Sequence, residues 1–398
     1  MAVLYDEEFY DNPNIVFEIK DTGFKIGDLI NGKETKEIYI TFKYKNGVLP
    51  ENKTLNSNIN FKIANPNRLV LAENIDSTGN YLGSAIAKNK IETVKFELGT
   101  LVPDGTIASF DASEKQDKSI IGYYTDIDDN SLHELIFLSA EPIAPNVNGE
   151  YLFQYLENVK EINFNNFTTF GVESMKSMFY NCSKLTELNA NKFDTNKVTD
   201  MRYMFYGCSE LSNIDVSGFD TSKVTSMKSM FNKCSKLTEL NVNGFDTSQV
   251  TDMNNMFYFC KGLTSLDVSG FDTSKVIDMS NMFYNCNVLT SLELSKFNTK
   301  QATNMSNMFG YCSRLKTIYV TPYDQATGKG WTTSAVTNSS GMFTSCSKLV
   351  GQYGTIYNSS YIDKTYARID KIEMPGYFTN IKNKSNRMKK SNEHRFNR

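Results

Sequence analysis

Along residues 150–350 the apolar positions repeat on one beat. In residues 211–236 they are Leu211, Ile214, Val216, Phe219, Val224, Met227, Met230, Phe231 and Cys234, with polar residues between. Leu211-x-x-Ile214-x-Val216 is the opening half of a leucine-rich-repeat pattern. The alternation around Ile214 and Val216 predicts a half-buried strand. Ser217-Gly218-Phe219-Asp220-Thr221-Ser222 is a turn cluster. Lys223-Val224-Thr225 is β-branched and predicts a second short strand. Met230-Phe231-x-x-Cys234 places apolar groups at i, i+1 and i+4, the spacing of one short helical turn. Each repeat therefore reads as strand, turn, short strand and helical turn.

The beat is 26 residues. Cys182, Cys208, Cys234, Cys260, Cys286 and Cys312 keep it, and Cys346 follows 34 residues after the last of these. A Met-Phe pair precedes each cysteine, from Met178-Phe179 to Met342-Phe343. Phe193, Phe219, Phe245, Phe271 and Phe297 keep the beat too, with Phe167 before them and Trp331, the only tryptophan, after them. A fixed period of this size is the signature of a stacked array, because no single repeat can bury its own apolar face. The expected fold is a leucine-rich-repeat-like solenoid of short parallel strands with one helical turn per coil, rising about 4.8 Å per coil. A partial all-β sandwich-like domain is expected to precede it.

The flanks set the expected boundaries. Residues 1–90 read as the partial sandwich, with strands at Ile15–Ile19, Glu37–Lys45 and Asn58–Ile63. Residues 91–150 read as a β linker and N-terminal cap, with strands at Thr93–Leu98, Ser119–Thr125 and Glu134–Ser139. Residues 151–350 are the array, with Leu152-Phe153 and Leu156 in the Met-Phe and Cys slots of a degenerate first coil. An eight-residue insertion near Pro322–Lys329 swells the last repeat. Residues 351–380 form a second cap, with a strand at Tyr366–Ile369. Residues 381–398 read as a disordered basic tail, in which Lys382, Lys384, Arg387, Lys389, Lys390, Arg395 and Arg398 face a single acid, Glu393.

Composition narrows the function classes. The formal net charge is −3, from 42 Lys and Arg against 45 Asp and Glu, which gives no electrostatic footprint for nucleic acid. No run approaches 18 apolar residues, so no transmembrane segment is expected. The N-terminus shows no basic region followed by an apolar core, so no signal peptide is read there. The cysteines contain no C-x-x-C pair, and Leu156 shares their slot. They read as a ladder of buried free thiols, small hydrophobes rather than ligands.

No catalytic constellation is found. The only histidines are His133 and His394, and no G-x-S-x-G, H-E-x-x-H or P-loop pattern occurs. The chain reads as a non-enzyme without cofactor or metal. Outward strand positions of such an array form an extended binding face. One row is Asn189, Asp215, Asn241, Asp267, Glu293 and Tyr319, and the next is Glu187, Asn213, Glu239, Ser265, Ser291 and Thr317. Asp215, Asn241, Asp267, Glu293 and Tyr319 are the candidate partner-binding residues. Tyr319 and Trp331 are the aromatic candidates, and Trp331 also fits the buried Phe slot. Asp194, Asp220, Asp246 and Asp272 recur in the Phe-Asp-Thr turn. They leave open a calcium-binding alternative, against which the Asx-turn reading is favoured. A purely structural spacer is the other alternative.

The unit Phe219-Asp220-Thr221-Ser222-Lys223-Val224-Thr225-x-Met227-x-x-Met230-Phe231-x-x-Cys234-x-x-Leu237-x-x-Leu240 resembles the repeat of BspA-like leucine-rich-repeat surface proteins, also called the mycoplasma-lipoprotein-type repeat. The resemblance covers residues 150–350 or so and recurs about seven times. Phe96-Glu97-Leu98-Gly99-Thr100 through Phe110-Asp111-Ala112-Ser113-Glu114 is similar to the segment before such repeats in Firmicutes. Tyr366–Asp370 and Pro375–Thr379 are similar to the closing cap. The resemblance implies a secreted or cell-surface protein, adhesin-like, whose partner is a host or bacterial surface macromolecule. It carries no catalytic motif. The chain shows neither signal peptide nor sorting motif, which points to an incomplete reading frame.

Overall fold

The computed structural model describes residues 66–73, 77–126 and 131–384, together with the backbone of four short strands within residues 1–65. The tail beyond residue 384 and most of the expected sandwich-like domain lie outside the described residues. The chain divides into two compact units, Met1–Pro66 and Asn67–Arg398.

The first unit contains β1 (Val3–Leu4), β2 (Ile15–Ile19), β3 (Ile40–Tyr44) and β4 (Phe61–Lys62). They form two antiparallel pairs, β1 with β4 and β2 with β3. β2, β3 and β4 fall within the expected strands at Ile15–Ile19, Glu37–Lys45 and Asn58–Ile63, and β1 is not among the expected ones.

The second unit is mostly β, in short strands. It contains β5 (Asn67–Arg68), β6 (Ile91–Leu98), β7 (Ala108–Asp111), β8 (Ile121–Thr125), β9 (His133–Ser139), β10 (Ile143–Ala144) and β11 (Glu161–Asn163). An open sheet runs in the order β11-β6-β9-β8-β7. Its β11 belongs to the first repeat and pairs in parallel with β6, Ile162 opposite Val94. Further on come β12 (Glu187–Asn189), β13 (Asn213–Asp215), β14 (Ser291–Leu294), β15 (Thr317–Val320) and β16 (Phe378–Asn380). β12 pairs with β13, and β14, β15 and β16 form a parallel three-stranded sheet. No sheet closes on itself among the described residues, and the helices there are 3-10 turns of three residues.

Successive repeats lie beside one another in parallel. A row of single bridges joins Asn148, Ser174, Asp200, Ser226, Asp252, Asp278, Asn304 and Asn338. No strand is assigned at the expected second strand, Lys223–Thr225, and a single bridged residue, Ser226, follows it. The expected helical turn is absent. From Met227 to Cys234 alternate amides leave the repeat: Met227, Ser229, Phe231 and Lys233 donate to the carbonyls of Asp252, Asn254, Met256 and Tyr258 at 2.7–3.1 Å. The intervening amides close tight turns, Met230 on Met227, Asn232 on Ser229 and Cys234 on Phe231, each at 3.2 Å. Ser229 and Lys233 take positive φ, 55° and 63°. A positive φ at the third residue is what a type II turn requires. The same two slots are positive in every repeat, from Tyr151 and Tyr155 to Gly341 and Ser345. The helix fails because every second donor is taken by a neighbouring repeat.

These turns aim Met-Phe inward. Phe153, Phe179, Phe205, Phe231, Phe257, Phe283, Phe309 and Phe343 stack as one file, with successive centroids 5.0–5.9 Å apart. Phe193, Phe219 and Phe245 form a second file at 6.3–6.4 Å, and Phe271 and Phe297 are buried in the same slot. All seven thiols are free and buried. Each donates to the carbonyl of the Met-Phe phenylalanine one repeat earlier, as Cys234 Sγ does to Phe205 at 3.1 Å. Leu156 stands in the first repeat, where no earlier Met-Phe carbonyl exists to be reached.

The buried polar groups follow the same logic. Thr195, Thr221, Thr247, Thr273 and Thr299 are buried. Thr273 Oγ1 donates to the Asn298 carbonyl at 3.1 Å and accepts the Asn298 amide at 2.9 Å. Corners are set by Asx turns, in which a side-chain oxygen accepts the amide two residues on: Asp215 from Ser217, Asp220 from Ser222, Asp252 from Asn254.

The C-terminal end departs from expectation. Tyr366–Ile369 is not a strand: Lys364–Tyr366 is a 3-10 turn capped by Asp363, and Ile369 makes a single bridge to Phe378. The closing strand is β16. Asp370 anchors the segment, accepting from the Tyr353, Thr355 and Gly376 amides and the Thr355 hydroxyl. Residues 381–384, read as the start of the tail, continue the fold as a 3-10 turn whose cap, Asn380, accepts the Lys382 amide. The insertion folds back on itself, with Asp324 bridged antiparallel to Lys329 and Pro322 bridged in parallel to Trp331.

Candidate functional site

The strand positions sort inward and outward as alternation requires. Leu188, Ile214, Leu240, Leu266, Leu292 and Ile318 are buried, and their neighbours on either side form the two outward rows. Asn189 lies opposite Asp215, and Glu293 opposite Tyr319. Asn241 and Asp267 occupy the same slot in segments to which no strand is assigned, and both are exposed. In the second row Thr317 is buried, at 9% exposure, so that row ends at Ser291.

Five of these outward side chains are held in place. Asn189, Asp215, Asn241 and Asp267 accept the amides of Asn191, Ser217, Asn243 and Ser269 at 2.9–3.3 Å. Glu293 accepts the Ser295 hydroxyl at 2.9 Å. The hydrogen bonds from Ser217 and Ser269 hold the Asp215 and Asp267 carboxyls below the usual carboxylate range. At the C-terminal end of the row Lys384 reaches back over the sheet. Its Nζ pairs with Glu293 and lies 5.6 Å from the Tyr319 ring centroid.

Trp331 is not on this face. It is 6% exposed, its Nε1 donates to the Ala367 carbonyl at 2.9 Å, and Phe378 meets its ring edge-on. The buried Phe-slot reading is the one the structure gives. Above it a cleft of about 1010 Å³ opens, lined by Tyr323, Tyr353, Arg368 and Met374 among others.

A second surface escaped the residue-by-residue reading. Beside the file of buried phenylalanines, the next residue is a half-buried tyrosine in four repeats, Tyr180, Tyr206, Tyr258 and Tyr284, and is buried at Gln154, Asn232 and Gly310. Tyr180 and Tyr206 stack at 4.5 Å, with Tyr155 and Tyr203 edge-on. Tyr258 and Tyr284 stack at 4.9 Å, with Phe259 and Tyr311 alongside. Asn232 occupies the equivalent slot between the two clusters. The signal was present as two tyrosine pairs, Tyr180 with Tyr206 and Tyr258 with Tyr284, each pair 26 residues apart. It shows only when repeats are aligned with one another.

The turn-forming acids are engaged locally. Asp194, Asp220, Asp246 and Asp272 each accept the amide two residues on. Among the described residues no group of three or more His, Cys, Asp or Glu converges as metal ligands. No helix there is long and apolar enough to cross a membrane.

One family profile matches, over residues 148–266 and 260–371, and its description is "Mycoplasma protein of unknown function, DUF285". No curated protein and no solved structure matches this chain. The two matched stretches together span more than half of the sequence.

Proposed function

This chain belongs to the DUF285 family, and we propose that it is a non-enzymatic, adhesin-like surface protein that binds a macromolecule through its polar strand face. In this reading the 26-residue repeats wind as a leucine-rich-repeat-like solenoid of the BspA-like kind, displayed outside the cell. The observation that carries the proposal is the row Asn189, Asp215, Asn241 and Asp267, each fixed by the amide two residues on. A row of side chains already ordered loses less entropy on binding, which favours affinity at a given contact area. The spacer and calcium-binding alternatives give no role to this ordered outward row.

A second reading is favoured by the tyrosine clusters. Tyr258, Phe259, Tyr284 and Tyr311 group four rings, with the Lys261 ammonium 4.8 Å from the Phe259 centroid. Aromatic side chains are enriched at interface cores.

One experiment separates the two. A partner is first identified from host matrix proteins or neighbouring bacterial surfaces. Asp215→Asn and Asp267→Asn remove charge yet preserve the turns, because Asn189 and Asn241 fill the same slot. Combined with Tyr319→Ala, they should weaken binding at least tenfold with the melting temperature unchanged. Undiminished binding, with loss instead in Tyr284→Ala plus Tyr311→Ala, would transfer the site to the turn face.

A further inference from the structure

The last described residue is the one that says most about a ligand. β16 runs parallel to β15, with Thr379 opposite Tyr319. The Asn380-capped 3-10 turn then swings the chain across the sheet. Lys384 ends with its ammonium on the Glu293 carboxylate and beneath the charge-attracting face of Tyr319. Asp267, one slot further along the row, feels the same positive charge. The two partners of the ion pair are only partly exposed, 35% for the lysine side chain and 27% for the glutamate.

A carboxylate beside an aromatic face is a cation receptor. The ring quadrupole attracts an ammonium or guanidinium group within about 6 Å of its centroid. Partial burial makes such a contact stronger than a fully exposed pair, whose contribution is close to nothing. Glu293 is itself positioned by the Ser295 hydroxyl, and Asp267 by the Ser269 amide. The receptor is therefore built by the repeats, and the lysine is delivered to it by a different segment.

We propose that Glu293, Tyr319 and Asp267 form a site for a lysine or arginine side chain of a polypeptide partner, and that Lys384 fills it from within the chain until the partner displaces it. The inference rests on the strand-face reading above and gives it a ligand class and a regulating contact. A tethered competitor lowers apparent affinity by the fraction of time it occupies the site. If Lys384 is seated nine-tenths of the time, its removal raises the affinity for an incoming cation about tenfold.

The test uses the full chain and two fluorescein-labelled decapeptides, one rich in lysine and one rich in glutamate, by anisotropy at low salt. Lys384→Ala should bind the lysine peptide several-fold more tightly than the parent chain. Adding Glu293→Gln and Tyr319→Leu to that variant should abolish the gain. Glu187→Gln, at the far end of the strand face, should leave it intact, which excludes general attraction between opposite charges. Equal binding by the parent chain and Lys384→Ala overturns self-occupancy. Absence of lysine-peptide binding to both, or equal binding of the glutamate peptide, overturns the ligand class. Neither result touches the strand-face reading, which is decided by the Asp215, Asp267 and Tyr319 variant against the captured partner. Melting temperatures of each variant within 2 °C or so of the parent guard against misfolding, since about 1 kcal/mol would shift a large domain by that much or more.

Discussion

Cys234 shows how much one side chain settles. It is fully buried, it packs as a small hydrophobe, and its thiol closes on a carbonyl of the preceding repeat. Burial pushes the thiols up: Cys208, Cys260 and Cys312 to about 12, and Cys182, Cys234, Cys286 and Cys346 well above the ordinary value. The consequence for stability has a definite sign. In the unfolded chain a thiol ionises near pH 8.5, whereas the folded chain keeps it protonated. The unfolded state thus binds fewer protons above that pH, so stability falls as pH rises. The contribution is whole below about pH 8.5 and is lost progressively toward the raised folded values, at about 1.4 kcal/mol per thiol for each pH unit. Urea midpoints should therefore drop between about pH 8 and 9, below the range near pH 10 in which tyrosines ionise. Replacing Cys208, Cys234 and Cys260 together by Ala should flatten that slope by roughly three-sevenths. An unchanged slope would place the thiols in contact with solvent, as would rapid labelling of several of them in the native protein at pH 7.5.

At the scale of the repeat, two kinds of file hold the elements together, one apolar and one polar. Phe245 is buried in its file against Phe219. Replacing it by Ala should cost about 3–5 kcal/mol in a denaturant titration. Thr238 is exposed on the strand face, and Thr238→Ala should change stability by less than about 0.5 kcal/mol. Thr273 sits between these cases. Thr273→Val keeps the shape but strands both the amide and the carbonyl of Asn298, a loss of about 1–3 kcal/mol. A neutral Thr273→Val would mean that the threonine file is incidental. The apolar files were legible because Met, Phe and Cys recur at fixed spacing. The turns were not. Their left-handed slots hold Ser, Lys, Tyr and Phe as well as Asn and Gly, so glycine, the usual marker, is present only at Gly207 and Gly341. Asn181, Asn255, Asn281, Asn285 and Asn307 carried the remaining signal, since asparagine tolerates that conformation. The i, i+1, i+4 spacing that predicted a helical turn is met equally by consecutive tight turns whose alternate amides point to the next repeat. Lys384 on the strand face was illegible for a different reason: nothing local says that a 3-10 turn at residues 381–383 will fold the chain back over Glu293.

For the whole molecule the central claim is that repeats two, three and four apart sit at equal steps, so that Asn189 through Tyr319 form one continuous row a partner can read. The single-residue bridges and the phenylalanine file both run through the middle repeats, even though no strand is assigned at 239–241 or 265–267. The direct measurement is a distance along the row. Glu187 and Ser291 occupy the same outward slot four repeats apart. Cysteines placed at these two exposed positions can be spin-labelled selectively, because the native thiols are buried. Four steps of the strand spacing predict a backbone separation of about 19 Å. Pulsed electron–electron resonance should give a single narrow distribution near that value, broadened only by the label arms. A broad distribution, or one centred well beyond it, would contradict stacking at equal steps and with it the continuous binding row.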